Sequence, residues 1–150
     1  MPETEIRPYK STDFDSVIEV YEHLCSFYGL PFNREKSHKF FSSLLYFQQY
    51  HTLVALDKKT KKVIGLLFSQ LETEATQETC GCIKQIYVEE EYRRSGTMTL
   101  LIEKAINYFK EIKVDQVAIH LRNENLPYVN YYLQKFGLSP VATIVAKSLK

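Results

Sequence analysis

Residues 86–98 read Ile86-Tyr87-Val88-Glu89-Glu90-Glu91-Tyr92-Arg93-Arg94-Ser95-Gly96-Thr97-Met98, which is a strand, a basic loop and the start of a helix. The first amides of a helix have no partner within it and carry partial positive charge. Gly96 lets a ligand approach the backbone closely, and Arg93 and Arg94 add forked, charged donors. The stretch therefore predicts a phosphate or diphosphate site. The alternative is an ordinary strand-to-helix turn whose arginines are solvated.

The segments on either side of this stretch alternate between the period of strands and the period of helices. Strands are predicted at Glu5–Tyr9, His51–Leu56, Val63–Leu71, Cys80–Val88, Gln116–Leu121 and Val141–Val145. Apolar residues at helical spacing predict helices at Phe14–Tyr28, Arg34–Phe47, Thr97–Lys110 and Tyr128–Phe136. The Thr12 hydroxyl is expected to cap the first helix, and Gly29 to end it.

The lengths of the connections predict how these elements assemble. The three strands between His51 and Val88 are joined by short loops, so they must be antiparallel. The helix Thr97–Lys110 is a crossover, so the strands that it joins should be parallel. The prediction is an α/β fold: a mixed sheet with an antiparallel N-terminal meander, a parallel pair around the central crossover helix, and helices on both faces.

Length and composition limit the class of protein. The 150 residues suit a single domain spanning 1–150, and 45% hydrophobic and 25% charged residues are typical of globular chains. Nineteen basic and eighteen acidic residues give a net charge of +1, which argues against a nucleic-acid partner. No apolar run reaches the roughly 20 residues of a membrane span, and no signal peptide is expected. Three cysteines suit a reduced, cytoplasmic location.

Four short motifs in a fixed order resemble those of one family. Val88 to Leu101 reads V-x-x-x-Y-R-x-x-G-x-x-T-L-L and resembles the acetyl-CoA-binding motif of the GNAT superfamily of N-acetyltransferases, with Arg93 at the Q/R position and Gly96 at the first glycine. The other three are similar to the family's opening strand, third strand and last helix: Ile6-Arg7-Pro8 followed by Asp13, Lys62-Val63-Ile64-Gly65, and Lys135-Phe136-Gly137-Leu138.

The resemblance implies acetyl-CoA as cosubstrate and names residues that would bind it. The backbone of Ile86, Tyr87 and Val88 would pair with the pantetheine arm, and the strand from Gln116 would splay away to make room. The diphosphate would lie on the loop formed by Arg93, Arg94, Ser95, Gly96, Thr97 and Met98. Asn125, or else Asn123, would lie beside the pantetheine, although an asparagine close to Pro127 also suits a helix cap or a turn.

The chain departs from the family pattern at three places. Met98 stands where the family keeps glycine or alanine. Leu133 stands where the family often has the tyrosine that protonates the leaving thiolate. Tyr132 is the residue we predict as that acid, with simple packing as the alternative. The strand before the loop has no carboxylate, so Glu72 at the end of the preceding strand is predicted as the general base. The alternative is that Glu72 and its neighbours Glu74, Glu78, Glu89, Glu90 and Glu91 are solvated charges.

The resemblance implies an N-acetyltransferase that moves an acetyl group to a primary amine. Because the six glutamates flank the site, a cationic small molecule or a protein amine is the expected acceptor. The alternative is a non-catalytic CoA-binding or regulatory module. Cys80 and Cys82 face the same side of a strand but lack further ligands at metal-binding spacing, so we predict small buried side chains and no metal. Relatives are often dimers, which leaves a homodimer open.

Overall fold

Five strands form one sheet in the computed structural model of the protein, which describes residues 3–121, 128–142 and 144–150. They are β1 (Thr4–Pro8), β2 (Tyr50–Asp57), β3 (Val63–Thr73), β4 (Thr79–Val88) and β5 (Gln116–Ile119). The strands lie side by side in chain order. Every neighbouring pair is antiparallel except β4 and β5, which are parallel. The predicted mixed sheet is therefore confirmed.

The helices are divided between two compact units, Met1–His120 and Leu121–Lys150. The first unit holds the sheet with α1 (Phe14–Tyr28), α2 (Arg34–Ser43) and α3 (Thr97–Glu111). The second holds α4 (Tyr128–Lys135). None of the helices in the described ranges has both the length and the apolar character that crossing a membrane requires.

Two predicted elements differ in the structure. Helix α2 was predicted to reach Phe47 but ends at Ser43, whose hydroxyl donates to the Phe40 carbonyl at 2.7 Å. Such side-chain bonds compete with the helical ladder. The strand predicted at Val141–Val145 is not formed, since residues 138–142 and 144–150 have no regular secondary structure. A strand needs a partner to satisfy its backbone, and apolar alternation in the sequence does not supply one.

The segment just before α1 is stabilised by Asp13, and the predicted cap, Thr12, is not the residue at the N-cap position of the helix. The Asp13 carboxylate accepts from the Lys10 amide at 2.8 Å and from both terminal nitrogens of Arg7 at 2.7 and 2.8 Å. Burial alone would raise the pKa of Asp13, but these hydrogen bonds outweigh it and lower the pKa. The cap prediction was wrong because the neighbouring carboxylate satisfies the loop amide and also fixes β1 to α1.

The sheet is covered on both faces. On one face, Leu66, Phe68 and Tyr87 join the core formed with α1 and α2; we call this the α1 face. Side chains alternate along a strand, and Leu71, which pairs with Gly81, therefore faces the other way. There α3 packs so closely that a Cβ added at Gly81 would lie 2.5 Å from the Phe109 ring. Helix α3 thus lies directly on the strand that leads into the loop of residues 93–96.

His51 makes the stability of this packing depend on pH. Its ring stacks on Tyr108 of α3, with centroids 3.6 Å apart and planes at 6°. Burial lowers its pKa from 6.5 to about 4. Between pH 6.5 and 4 the unfolded chain therefore binds a proton at His51 that the folded chain does not bind. The free energy of unfolding falls as the pH drops through this range.

We expect His51→Phe, which keeps an aromatic ring on Tyr108, to flatten that part of the stability profile. Urea unfolding midpoints measured between pH 7 and 4.5 test this. The midpoint of the parent should fall more steeply with falling pH than that of the variant. The difference in slope corresponds to up to about one extra proton bound on unfolding. Parallel profiles in the two proteins would contradict the assignment.

Candidate functional site

The loop between β4 and α3 takes a conformation suited to anion binding. Arg94 and Gly96 are both left-handed, with φ of 63° and 85°, and Gly96 caps α3. Alternating right- and left-handed residues turn successive amides toward a common point. The Ser95 hydroxyl holds the turn by donating to the Tyr92 carbonyl at 2.5 Å. Thr97 is buried, and its hydroxyl oxygen lies 2.8 Å from that of Ser95 and 3.0 Å from that of Thr4.

The backbone amides of residues 94–98 are available to a ligand. Within the described ranges, no backbone or side-chain acceptor takes a hydrogen bond from any of them. They stand at the positive end of α3, a helix of 15 residues. No carboxylate occupies its first turn. The loop can therefore bind a diphosphate through backbone donors alone.

The two arginines of the loop have different environments. The Arg93 Nε donates to the Val88 carbonyl at 3.0 Å. Its guanidinium lies 4.5 Å from the centre of the Phe27 ring and 5.3 Å from that of Tyr87. Arg93 thus braces the loop against β4 and α1, whereas the side chain of Arg94 is exposed. Of the two, Arg94 is the one whose charge can reach a ligand outside the loop.

The strand that leads into the loop has an open edge. Parallel pairing with β5 runs from Cys80 to Ile83 and ends with the His120 amide donating to the Ile83 carbonyl at 2.9 Å. Beyond it, the described residues offer β4 no partner on this side. The predicted splaying of the two strands stays a prediction, because residues 122–127 lie outside the described residues.

The pairing with β3 shows which backbone groups this edge presents. The Glu89 amide donates to the Ile64 carbonyl of β3 at 2.8 Å. Successive amides of a strand point to opposite sides, so the Ile86 and Val88 amides point away from β3. The Val88 carbonyl on the same edge accepts from Arg93. Two amides of β4 are therefore available to an extended ligand that runs along the strand.

A bulge marks the point where the open edge begins. Gln85 pairs with Phe68 while Ile83 pairs with Ser69, so Lys84 is the extra residue. The bulge puts Lys84 and Gln85 on the same side of the strand in succession, and the Lys84 ammonium forms an ion pair with the Glu72 carboxylate.

Glu72 is the centre of a polar group on the α1 face, which we call the Glu72 cluster: Glu72, Cys80, Cys82 and Lys84. The Cys82 thiol donates to the Glu72 carboxylate at 3.3 Å and lies 3.1 Å from the Cys80 sulfur. The Lys84 ammonium chiefly, with smaller contributions from the Cys82 thiol and His120, lowers the pKa of Glu72 against the opposing effect of burial. The carboxylate is therefore ionised at neutral pH, in the form that can accept a proton.

Strand alternation predicted that Cys80 and Cys82 share one face, and the structure confirms this, but it did not predict Lys84 beside Glu72. The bulge that brings it to Glu72 has no sequence signal of its own. Glu89 was also placed only by the structure: its carboxylate lies 2.6 Å from the His23 Nδ1 of α1 and accepts from the Tyr87 hydroxyl at 3.4 Å. The glutamates near the site are thus not all solvated charges.

Two predicted site residues belong to the second unit. Tyr132 lies in α4, half-buried, with its ring parallel to that of Phe136 at 6.2 Å and edge-on to Tyr131 at 5.1 Å. Its role as an acid stays a prediction. Asn125 and Asn123 lie outside the described residues, so their placement beside a ligand also stays a prediction. Gly137 follows α4 with φ of 64°, as its place in the motif predicts.

Comparison with known proteins gives the family. A model described as the acetyltransferase (GNAT) family matches residues 17–138. The chain therefore belongs to the GNAT family, and it is an acetyltransferase enzyme. It is similar to an N-alpha-acetyltransferase of Sulfurisphaera tokodaii, with 25% identity over 150 residues that cover 95% of this chain and 84% of the relative.

Solved structures show the same fold. An aminoglycoside antibiotic 6'-N-acetyltransferase from Acinetobacter haemolyticus superposes with a TM-score of 0.77 at 20% identity, over 97% of this chain and 98% of that one. A glucosamine-6-phosphate N-acetyltransferase from Arabidopsis thaliana superposes with a TM-score of 0.79 at 15% identity, over 99% of both chains. At these identities the likeness concerns the architecture alone.

Proposed function

We propose that this enzyme transfers the acetyl group of acetyl-CoA to a primary amine, with acetyl-CoA bound along β4 and the loop that follows it. The observation that carries the proposal is the continuity of unpaired donors: the amides of residues 94–98, then those of Val88 and Ile86 on the open edge of β4. The loop suits the diphosphate and the edge suits the pantetheine amides. Bound acetyl-CoA would supply an activated acyl group as its thioester.

The spacing along β4 supports a reaction centre at the Glu72 cluster. From Val88 back to Lys84 is four strand residues, or about 13 Å. That is the reach of an extended arm that starts at the loop. Its end falls where β5 begins to pair with β4 and where Lys84 meets Glu72. Chain segments far apart in sequence thus converge at the point where the acyl group would lie.

In this proposal each residue has a defined role. Glu72, ionised and about two-fifths exposed, accepts the proton of the attacking amine, directly or through one water. A free backbone amide of β4 near Val88, that of Ile86, which lies closer to Lys84, donates to the acyl oxygen as negative charge develops there. Tyr132 protonates the leaving thiolate, and Asn125 contacts the pantetheine. Positioning of the two substrates supplies much of the rate.

The acceptor is proposed to be a cationic amine, either a small molecule or a protein amine. Glu74 and Glu78 lie in the loop before β4, and Glu90 and Glu91 follow its other end. All four are exposed, and they add negative charge at both ends of this strand. Lys84 partly offsets the charge of Glu72. The names of the relatives include both kinds of acceptor, aminoglycosides and the α-amino group, which supports an amine without choosing between them.

We further propose that the two units form one domain, because the family match spans both. A cytoplasmic location is proposed because none of the three cysteines is in a disulfide. A homodimer, with no nucleic-acid or membrane partner, completes the proposal.

A thiol-release assay with acetyl-CoA and a panel of amines tests the function. We expect release of CoA with polyamines, aminoglycosides or N-terminal peptides, and a kcat/KM that falls as salt rises, because steering is screened over about 8 Å at physiological ionic strength. CoA binding by calorimetry without release for any amine would favour a binding or regulatory module. A rate independent of salt, or a preference for an anionic acceptor, would exclude the cationic amine.

A further inference from the structure

Two thiols lie together on the α1 face, beside the proposed reaction centre but with no part in its mechanism. Cys80 and Cys82 are separated by Gly81, and their sulfurs are 3.1 Å apart. Cys82 is buried, whereas Cys80 is half-buried and can be reached from solvent. We propose that this pair is a dithiol site that binds trivalent arsenicals by bridging both sulfurs through one arsenic atom.

The strand resists the competing product, a disulfide between the two residues. Two residues of extended strand span about 6.6 Å, at the upper end of the Cα separation of about 4.4–6.8 Å in disulfides, and the Cβ atoms would have to approach to about 3.8 Å. The backbone cannot pucker easily, because Cys80 and Cys82 are paired with β3 on one side and β5 on the other. Gly81 is held against the Phe109 ring.

The separation of the sulfurs matches a pyramidal bridging atom. For an atom bonded to each sulfur at about 2.3 Å, as in zinc–thiolate bonds, a linear geometry places the sulfurs about 4.6 Å apart and a near-right angle about 3.3 Å apart. Trivalent arsenic has angles near a right angle. A resident zinc ion would need four ligands, and no group of three or more His, Cys, Asp or Glu in the described ranges is arranged to hold a metal ion.

The chemistry needs no oxidant. With phenylarsine oxide, the Cys80 sulfur forms the first As–S bond and the Cys82 sulfur the second. Both As–O bonds break, and the oxygen leaves with the two thiol protons as one water while arsenic stays trivalent. Burial chiefly, together with Cys80 and Glu72, raises the pKa of Cys82, so the second step needs a proton acceptor. The Glu72 carboxylate, 3.3 Å from that sulfur, provides it.

Titration of the full chain with phenylarsine oxide, followed by intact mass and by counting free thiols, tests the proposal without acetyl-CoA. We expect one arsenical bound per chain with the loss of two thiols. Because the second bond is intramolecular, affinity should exceed that of a single thiol by about 100-fold or more. A dithiol reagent should reverse the adduct, and a monothiol at the same thiol concentration should not.

Three serine variants complete the experiment. Cys80→Ser and Cys82→Ser should each lose the tight adduct, whereas Cys25→Ser, at a buried position of α1, should keep it. Circular dichroism confirms that each variant is folded. No adduct in the parent, an unchanged adduct in Cys80→Ser or Cys82→Ser, or loss of two mass units through a disulfide would overturn the proposal. Since acetyl transfer is not measured, failure here leaves the proposed function standing.

Discussion

Replacing Glu72 by glutamine lowers kcat/KM for acetyl transfer by about 100-fold or more, the contribution expected of a positioned base. Glutamine keeps the size of the side chain, but it cannot take a proton from the amine. Its single oxygen replaces two carboxylate oxygens, one contacted by Cys82 and the other by Lys84, so only one of these two contacts is kept. Because Glu72 pairs with Cys80, at the end of β4 away from the loop, the affinity for CoA should be unchanged. Thiol release measures the rate, and calorimetry with CoA measures the binding. A variant with near-parental kcat/KM would show that another group is the base.

Lys84→Met supplies the matched test, because it changes Glu72 without removing it. Lys84 is the main cause of the lowered pKa of Glu72, so its loss raises that pKa. The reaction needs the ionised carboxylate, and the acid limb of the kcat/KM profile should therefore move to higher pH. A merely structural ion pair would lower the rate at every pH without moving this limb. An unmoved limb would contradict the role of Glu72.

The parts of the site that could be predicted from the sequence are local ones. Gly96 at a helix start, two arginines and the periodic face of α3 lie within 20 residues. Local sequence rules are therefore enough to predict an anion site on the loop amides. The antiparallel and parallel directions of the central strands followed from loop lengths and from one crossover. The α2 end and the strand at Val141–Val145 were mispredicted because apolar periodicity does not reveal a competing side-chain bond at Ser43 or the lack of a partner strand.

The remaining parts depend on register between distant segments. Glu72 meets Cys80 and Cys82 only because β3 and β4 pair in one alignment. Lys84 joins them only because of a bulge, which shifts every later side chain of β4. Arg93 was expected at the phosphate, but its guanidinium lies over the Phe27 ring of α1. Residue spacing along the chain does not predict this contact. Burial and pairing of this kind are properties of the folded sheet, so they could not be predicted from residue spacing.

Gly96→Asp weakens the binding of CoA by about tenfold or more. The residue caps α3 in the middle of the free amides, and a Cβ added there meets no atom within 4 Å, so a longer side chain projects into the space before the helix. A carboxylate about 5 Å from a phosphate charge is repelled by about 3 kcal/mol at an effective dielectric of 20. Exposure and salt reduce this, and each 1.4 kcal/mol that remains is about a factor of ten in affinity.

Gly96→Asn separates charge from backbone strain. Its side chain matches aspartate in size, and asparagine and aspartate both tolerate the left-handed conformation that φ of 85° requires. Any loss of CoA affinity that comes from the size or backbone strain of the new side chain should therefore appear in both variants. The difference in affinity between them reports the charge alone. Calorimetric titration at low and moderate salt should show Gly96→Asp binding CoA more weakly than Gly96→Asn, with the gap closing as salt rises. Equal affinities at low salt would mean that the diphosphate does not lie on the amides of residues 94–98.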